Sequence, residues 1–253
     1  MDDASTRTPR QNDAVKPAEA DAPAIFEAFV LAPRFQYGTT RFLPRVTGRL
    51  LNAYWHASRR ISNLRHEHNI DTTEHEVGVE HYHPDRVWYV PSSWSFLKKG
   101  LRGREITPRD VFVDYGSGKG RVLFQAAQYP FRRVIGVEIS PELTDVARAN
   151  LELNRAKFRC DDVDLVTGDA TEFDVPDDMT VAYMWHPFVG DTFRRVIDNI
   201  VASLEQNPRR LRLIYVTPVM AEYISSTGSF ELVKSYRIVH ERSIQRINVY
   251  ESL

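Results

Sequence analysis

An acidic residue followed by three alternating glycines is the feature of this sequence best suited to chemistry. The apolar run 111–113 leads into Asp114, and Gly116, Gly118 and Gly120 follow within six residues. A buried strand, a glycine-rich turn and a helix form the usual cradle for a nucleotide-like cofactor in an α/β sheet. The Asp114 carboxylate would repel a pyrophosphate there, whereas it would attract a cofactor with a cationic end. The motif therefore predicts a positively charged cofactor.

Two other glycine motifs do not fit this spacing. A P-loop needs a glycine five positions before its Gly-Lys pair and a hydroxyl residue after it, but Val113 and Gly120 occupy those positions. A dinucleotide fingerprint places its third glycine three positions after its second, whereas Gly120 comes two positions after Gly118. S-adenosylmethionine, with a sulfonium and an ammonium group, fits Asp114 better than NAD or ATP. A tight turn without a ligand remains the alternative for this motif alone.

Two more acids follow later strands of the predicted sheet. Glu138 ends the second strand, where a carboxylate can accept hydrogen bonds from both hydroxyls of a ribose. Asp169 stands in Gly168-Asp169-Ala170 after the third strand. There it can accept from the amine of adenine, while the N–H of Ala170 donates to a ring nitrogen. Ligands bind at the carboxyl edge of such sheets, so three acids at this edge predict one shared site.

Three segments of this sequence resemble the class I S-adenosylmethionine-dependent methyltransferases: 114–120, 137–143 and 168–170. The resemblance covers roughly residues 90–253. It implies that Asp114 and the glycine turn lie near the methionine part, Glu138 at the ribose and Asp169 at the adenine. The segment 89–93 also resembles one that flanks the methionine carboxylate. The implied cofactor residues are Asp114, Gly116, Ser117, Gly118, Gly120, Glu138, Ile139, Asp169, Ala170, Trp185 and Ser93.

The acceptor side is expected where the fourth strand runs into 184–188, Met-Trp-His-Pro-Phe. Relatives that methylate planar nitrogen often carry Asn-Pro-Pro-Tyr or Asn-Pro-Phe there, and His186 replaces that asparagine. An imidazole could serve as a general base, or His186 could only cap a turn before Pro187. The predicted catalytic residues are His186 and Tyr89. The residues predicted on the substrate side are Phe188, Trp88, His81 and His83.

The cofactor turn also resembles that of the non-SET histone-lysine methyltransferases. Those families carry an asparagine-rich segment after the fourth strand, which this sequence lacks. The leading prediction is therefore methyl transfer to O or N of a small, natural-product-like molecule. A protein-lysine methyltransferase and a non-catalytic cofactor-binding partner subunit are the alternatives.

Strands and helices alternate after residue 90, which predicts an α/β fold with a doubly wound, Rossmann-like sheet. An antiparallel hairpin should close its edge, because two β-patterned runs end the chain with a short connection between them. The predicted strands are Val111–Asp114, Arg133–Glu138, Val163–Thr167, Val181–Trp185 and Leu211–Thr217, followed by the hairpin Phe230–His240 and Ser243–Tyr250. The predicted helices are Pro91–Arg102, Arg121–Gln128, Pro141–Arg155 and Asp191–Leu204.

The chain before residue 91 differs in composition. Residues 1–22 predict a disordered tail, and residues 23–90 a helical, aromatic and His-rich extension that caps the substrate side. Pro44–Ile61 has helical apolar spacing and an arginine face, which could be solvated, meet an anionic partner or lie on a membrane surface. The spacing of two His-x-His pairs would be possible for a zinc site. No paired cysteine or compact set of acids accompanies them, so no metal site is predicted.

Charge and composition limit the partners. The net charge is −1, and the single cysteine, Cys160, excludes an internal disulfide framework. No apolar run is long enough to span a bilayer and no secretory signal is present, so a cytoplasmic location is expected. A nucleic-acid acceptor is disfavoured, since no sustained basic surface extends beyond the arginine-rich helix. The extension leaves open a contact between copies of the chain.

Overall fold

The computed structural model describes residues 70–72, 85–87, 89–240 and 243–253. The predicted tail, the arginine-rich helix 44–61 and both His-x-His pairs lie outside these residues. Within the described part of the chain, no helix is long and apolar enough to cross a membrane.

A mixed sheet of seven strands forms the centre of the fold. Its strands are β1 (Val111–Tyr115), β2 (Arg133–Glu138), β3 (Asp162–Thr167), β4 (Val181–Trp185), β5 (Arg212–Val216), β6 (Phe230–His240) and β7 (Ser243–Ser252). The spatial order is β3-β2-β1-β4-β5-β7-β6. Strands β1 to β5 are parallel, and β7 pairs antiparallel with both β5 and β6. This confirms the predicted parallel sheet with a C-terminal antiparallel hairpin.

In the described part of the chain, five α-helices cover the two faces of the sheet: α1 (Phe96–Gly100), α2 (Arg121–Ala126), α3 (Pro141–Glu152), α4 (Gly190–Gln206) and α5 (Ala221–Ser226). The central strand β1 is buried along its whole length, as expected for a parallel strand covered on both sides. A hydrophobic core lies on each face of the sheet, and alternate residues of β1 pack into one or the other. Phe112 packs into the core with α1 and α2, whereas Val111 and Val113 pack into the core with α4.

One predicted helix is much shorter in the structure. Instead of Pro91–Arg102, the helix α1 covers Phe96–Gly100, and its N-cap Ser95 makes no capping hydrogen bond through its side chain. The two preceding serines, Ser92 and Ser93, are engaged elsewhere. The Ser92 hydroxyl pairs with the Tyr183 hydroxyl at 2.8 Å, and the Ser93 hydroxyl lies 3.2 Å from that of Ser95. Buried tertiary contacts therefore hold residues 91–95 in a non-helical path.

The strand order explains why the predicted site residues meet. The chain leaves β1 toward β2 on one side and reaches β4 on the other, so the order reverses between β1 and β4. Open α/β sheets bind ligands at the carboxyl edge beside such a reversal. The loops that follow β1, β2, β3 and β4 all begin at this edge.

Candidate functional site

The glycine turn after β1 folds back onto the end of β2. The N–H groups of Gly116 and Ser117 both donate to the Val137 carbonyl, at 2.8 and 3.1 Å. The N–H of Gly118 donates to Oε2 of Glu138 at 2.8 Å. Gly120 has a left-handed backbone and is the N-cap of α2. The turn is thus held in one conformation by Val137 and Glu138, the last two residues of β2.

Asp114 is a buried carboxylate in an acidic surrounding. It is 3% exposed and lies at the end of β1 beside the glycine turn. Burial, together with the nearby negative charge of Glu138, raises the pKa of Asp114 well above its usual range. No described side chain or N–H group lowers this pKa by a hydrogen bond or a positive charge. The site therefore has a strong electrostatic demand for a cation.

Glu138 and Asp169 stand side by side at the ends of β2 and β3. The second oxygen of Glu138, Oε1, accepts from the N–H of Ser140 at 3.1 Å. Burial raises the pKa of Glu138, and its backbone hydrogen bonds offset this only in part. The N–H of Gly168 donates to the Glu138 carbonyl at 2.8 Å, which ties the two strand ends together.

Asp169 is held by two partners. Its Oδ1 accepts from the N–H and the hydroxyl of Thr171, and its Oδ2 accepts from Arg86 at 3.1 Å. Partial burial acts to raise the pKa of Asp169, but the bonds from Thr171 and the charge of Arg86 outweigh it and lower the pKa. Asp169 is therefore ionised at neutral pH.

Residues 85–87, here called the strap, cross the carboxyl edge of the sheet. Arg86 bridges antiparallel to Phe188, the N–H of Val87 donates to the Pro187 carbonyl, and the N–H of Val189 donates to the Asp85 carbonyl. Because Arg86 also reaches Asp169, the strap connects the loop after β4 with the loop after β3.

The side chain of Asp85 caps α4 from a distant part of the chain. The helix has Val189 at its N-cap, which offers no side-chain acceptor. Oδ2 of Asp85 instead accepts from the N–H groups of Asp191 and Thr192, at 3.1 and 3.3 Å. A carboxylate suits this position because it meets both the free N–H groups and the positive end of the helix dipole.

We expect Asp85→Ala to destabilise the protein by about 1–2 kcal/mol, as the loss of a helix cap does. Urea unfolding would measure this change. Asp85→Asn keeps an acceptor oxygen and should recover at least half of the loss, whereas Asp191→Ala, which removes an exposed acid from the same turn, should cost less. Equal losses in both Asp85 variants would show that its charge, not its acceptor, matters.

Tyr89 covers the glycine turn. A Cβ atom on Gly118 would lie 2.4 Å from its ring, so ring and backbone are in direct contact. The Tyr89 hydroxyl donates to the Thr72 carbonyl at 3.3 Å, and the ammonium group of Lys119 lies 5.6 Å from the ring centre. Tyr89 is thus placed against the glycine turn, and its catalytic role stays a prediction.

Arg121 anchors the residues before the sheet. Its buried guanidinium donates to the Thr72 hydroxyl and to the Ser92 carbonyl, and it lies 5.1 Å from the ring centre of Trp94. Asn150 holds the neighbouring residue, since its amide exchanges two hydrogen bonds with the backbone of Asp71. The sequence does not predict these contacts of Arg121 and Asn150. The only sequence feature that could have indicated them is an arginine in the first turn of the helix that follows the glycine motif.

His186 occupies a strained and buried position directly after β4. Its φ is +45°, in the left-handed region that non-glycine residues seldom adopt, and the residue is 4% exposed. Burial lowers the pKa of His186 to about 4, so the imidazole is neutral at physiological pH. Such strain is frequent at functional sites, where the surrounding structure maintains it.

The other predicted residues fall into three groups. Trp185 is half-buried with its ring 5.5 Å from that of Phe96, and Phe188 is 5% exposed and packs near Phe193, which leaves little of its ring for an acceptor. Ile139, Ala170 and Ser93 are half-buried at or near the carboxyl edge. The last group, Trp88, His81 and His83, lies outside the described residues, and among the residues that are described no cluster could hold a metal ion.

Comparison with known proteins identifies the kind of domain. Residues 112–207 match a family described as "Methyltransferase domain". A stretch of 52 residues is 48% identical to the H3 lysine-79 specific histone-lysine N-methyltransferase of Dictyostelium discoideum, over 21% of this chain and 3% of that protein. A stretch of 90 residues is 31% identical to a protein-lysine N-methyltransferase of Saccharolobus islandicus, over 35% of this chain and 54% of that protein.

The matched segments thus cover about half or less of these curated relatives. Among solved structures, the B. subtilis tRNA methyltransferase TrmK superposes with a TM-score of 0.51 at 14% identity, covering 65% of this chain and 68% of that one. At this level of identity the similarity concerns the fold.

Proposed function

We propose that this chain, whose residues 112–207 match a methyltransferase domain, binds S-adenosylmethionine and transfers the methyl group to an acceptor. Asp114 is the observation that carries the proposal. A buried carboxylate with a raised pKa and a second acid beside it is unfavourable in the empty site. A ligand with an ammonium and a sulfonium group supplies the missing positive charge.

The acids at the carboxyl edge suit the rest of this cofactor. Glu138 has both oxygens near the site, and carboxylate oxygens can accept further bonds from ribose hydroxyls while they hold Gly118 and Ser140. Asp169 is ionised and available to an adenine amine, sharing its Oδ2 with Arg86. Tyr89 would close the methionine side of the site by covering the glycine turn.

When bound, S-adenosylmethionine supplies a methyl group that its sulfonium already activates. The protein then has to align the nucleophile with the sulfur–carbon bond and exclude water. The loop 186–189 is suited to alignment, because its backbone is held by the strap on one side and by α4 on the other. A neutral imidazole at His186 can accept a hydrogen bond from an acceptor without adding positive charge near the sulfonium.

The lowered pKa of His186 predicts a pH-dependent stability. Between about pH 6.5 and 4 the unfolded chain binds a proton that the folded chain does not, so stability falls as the pH is lowered through this window. The loss contributed by this residue is on the order of 3 kcal/mol when complete, at about 1.4 kcal/mol per pKa unit.

Urea unfolding of His186→Asn and the parent protein at several pH values would measure this effect. The variant should lose part of the slope between about pH 6.5 and 4. An NMR titration of histidine-labelled protein, with the variant as the assignment control, should place this imidazole near pKa 4. A normal histidine pKa would refute the buried, neutral state.

Two classes of methyl acceptor are proposed. A small-molecule O or N acceptor is the sequence-based prediction. A protein lysine is the second, and it is favoured because both curated relatives are named protein-lysine methyltransferases. A lysine amine must lose its proton before it attacks, and the dry surroundings of His186 would favour the neutral amine.

Calorimetry with S-adenosylmethionine tests the cofactor, and transfer of labelled methyl from it to metabolite, protein and tRNA fractions tests the acceptor. We expect binding in the micromolar range and label in either the metabolite or the protein fraction. Absence of binding to the intact protein would overturn the proposal, and label confined to tRNA would reject both acceptor classes.

A further inference from the structure

The C-terminal hairpin extends beyond the carboxyl edge of the sheet. The last residue of β5, Val216, pairs with Ile247. Four further pairs of the hairpin, from Arg237–Arg246 to His240–Ser243, have no neighbour in β5. At about 3.4 Å per residue this extension is about 13 Å long. It is called the arm and comprises residues 237–240 and 243–246.

The arm is fixed to the body of the domain at its base. The N–H of Thr217 donates to the Arg246 carbonyl at 2.8 Å, and the Thr217 hydroxyl donates to the side chain of Gln245. Thr217 directly follows β5, so the arm stands at the same edge as the loops after β1 and β4.

Two arginines lie directly opposite each other on the arm. Arg237 and Arg246 are cross-strand partners, so their side chains project on the same face of the hairpin. Both are exposed, and no ion pair with an acid is found for either among the described residues. Like charges placed directly opposite each other on a hairpin are destabilising, and no ion pair among the described residues relieves this repulsion.

The same face carries an exposed apolar group. Ile244 is two residues from Arg246 on the same strand and is 59% exposed. The face opposite belongs to the core, since Ile238 and Ile247 are buried there. The exposed face of the arm therefore combines two unbalanced positive charges with aliphatic surface.

We propose that the arm docks an acidic peptide segment of a protein acceptor, with its carboxylates on Arg237 and Arg246 and an aliphatic side chain against Ile244. The proposal rests on the proposed function, because it assumes that the edge beside the arm receives the acceptor. A pair of guanidinium groups can hold carboxylates bidentately, which fixes the segment and thereby the residue presented to the pocket.

A peptide suits this face better than a nucleic acid does. Nucleic-acid surfaces combine a basic stripe with aromatic side chains that stack on bases. On the described part of the arm, the exposed residue beside Arg237 and Arg246 is the aliphatic Ile244 and not an aromatic side chain. Charge complementarity therefore selects a short acidic and apolar segment.

Fluorescence anisotropy with a labelled peptide of about twelve residues, built from Glu-Glu-Leu repeats, tests this proposal. We expect binding that weakens with salt, and a loss of at least about tenfold in the double variant Arg237→Glu and Arg246→Glu. The double lysine variant should keep most of the affinity, because it retains the charge. The variant Arg109→Glu and Arg148→Glu, with the same charge change at exposed positions elsewhere, should bind like the parent protein.

Two results would overturn the proposal. One is equal peptide affinity in the parent and the Arg237/Arg246 reversal. The other is tighter binding of an oligouridine of similar length, lost in the same reversal, which would make the arm a nucleic-acid contact. Calorimetry with S-adenosylmethionine on each arm variant tests cofactor binding separately from peptide docking. A folded variant with an intact cofactor site should bind S-adenosylmethionine normally.

Discussion

Asp114→Asn is expected to lose measurable S-adenosylmethionine binding and, without ligand, to unfold at a higher temperature than the parent protein. Both effects have one cause. Burial and Glu138 disfavour the Asp114 charge in the empty site. Each unit by which its pKa is raised corresponds to about 1.4 kcal/mol, and the neutral amide is free of this cost. The same amide cannot neutralise a sulfonium or an ammonium group.

Calorimetry measures the binding and differential scanning calorimetry the stability. About 1 kcal/mol shifts the midpoint of a domain of this size by about 2–4 °C, so a rise of several degrees is expected. Asp145→Asn removes an exposed acid from α3 and serves as the control, with little change in either measurement. Retained cofactor affinity in Asp114→Asn would show that this carboxylate does not face the cationic part of a ligand.

The pH dependence of binding has a definite sign. A cation binds the ionised form of Asp114, and the pKa of this group is raised in the free protein. Affinity should therefore fall as the pH is lowered through that raised pKa, while acidification relieves the electrostatic cost in the empty site. Calorimetry of the parent protein in buffers of different pH would show this fall in affinity, and the control Asp145→Asn should show the same dependence.

Gly116→Ala is expected to remove cofactor binding and to destabilise the fold more than an ordinary glycine substitution does. Gly116 has a φ of +75°, and a Cβ there would lie 2.4 Å from Cβ of Pro187. The left-handed backbone alone costs an alanine about 1–2 kcal/mol. The collision adds to this, because the rigid proline ring belongs to the loop after β4 and cannot rotate away.

Gly228→Ala provides the matched control. Its φ is +69°, but no atom lies within 4 Å of the added Cβ. The control should show the backbone strain alone, a loss of about 2–6 °C in the midpoint of thermal unfolding. Gly116→Ala should lose clearly more and should bind S-adenosylmethionine at least about tenfold more weakly. Equal losses in the two variants would mean that Pro187 moves aside without cost.

The sequence was sufficient for the sheet because its signals were local. Apolar runs such as 111–113 and 181–184, separated by helical segments, indicate buried parallel strands whatever the rest of the chain does. The acids Asp114, Glu138 and Asp169 followed from the same pattern, since each ends a strand. Topology then brings them to one edge.

The contacts that complete the site join residues far apart in the sequence, and no periodic pattern of apolar residues predicts them. Asp85 caps a helix more than one hundred residues away, and Arg121 bonds to Thr72 across 49 residues. The shortened helix α1 has the same origin: Ser92 pairs with Tyr183 instead of capping. Each of these depends on which loops meet in space, which a single sequence does not encode in its spacing.

The anchoring of Thr72 and Asp85 sets a lower limit on the fragment that can fold. A chain cut to begin at residue 91 would keep every strand and helix of the sheet. Yet the Arg121 guanidinium would be left without the Thr72 hydroxyl, and α4 would have lost the carboxylate that caps it. Arg121 would keep the Ser92 carbonyl as an acceptor but would lose its bonds to Thr72. Losing buried hydrogen bonds to a charged group together with a helix cap lowers stability by about 2–5 kcal/mol, a large part of the stability of a typical domain. A stable fragment therefore has to include Thr72 and Asp85, which lie outside the segment that looks like a complete methyltransferase sheet.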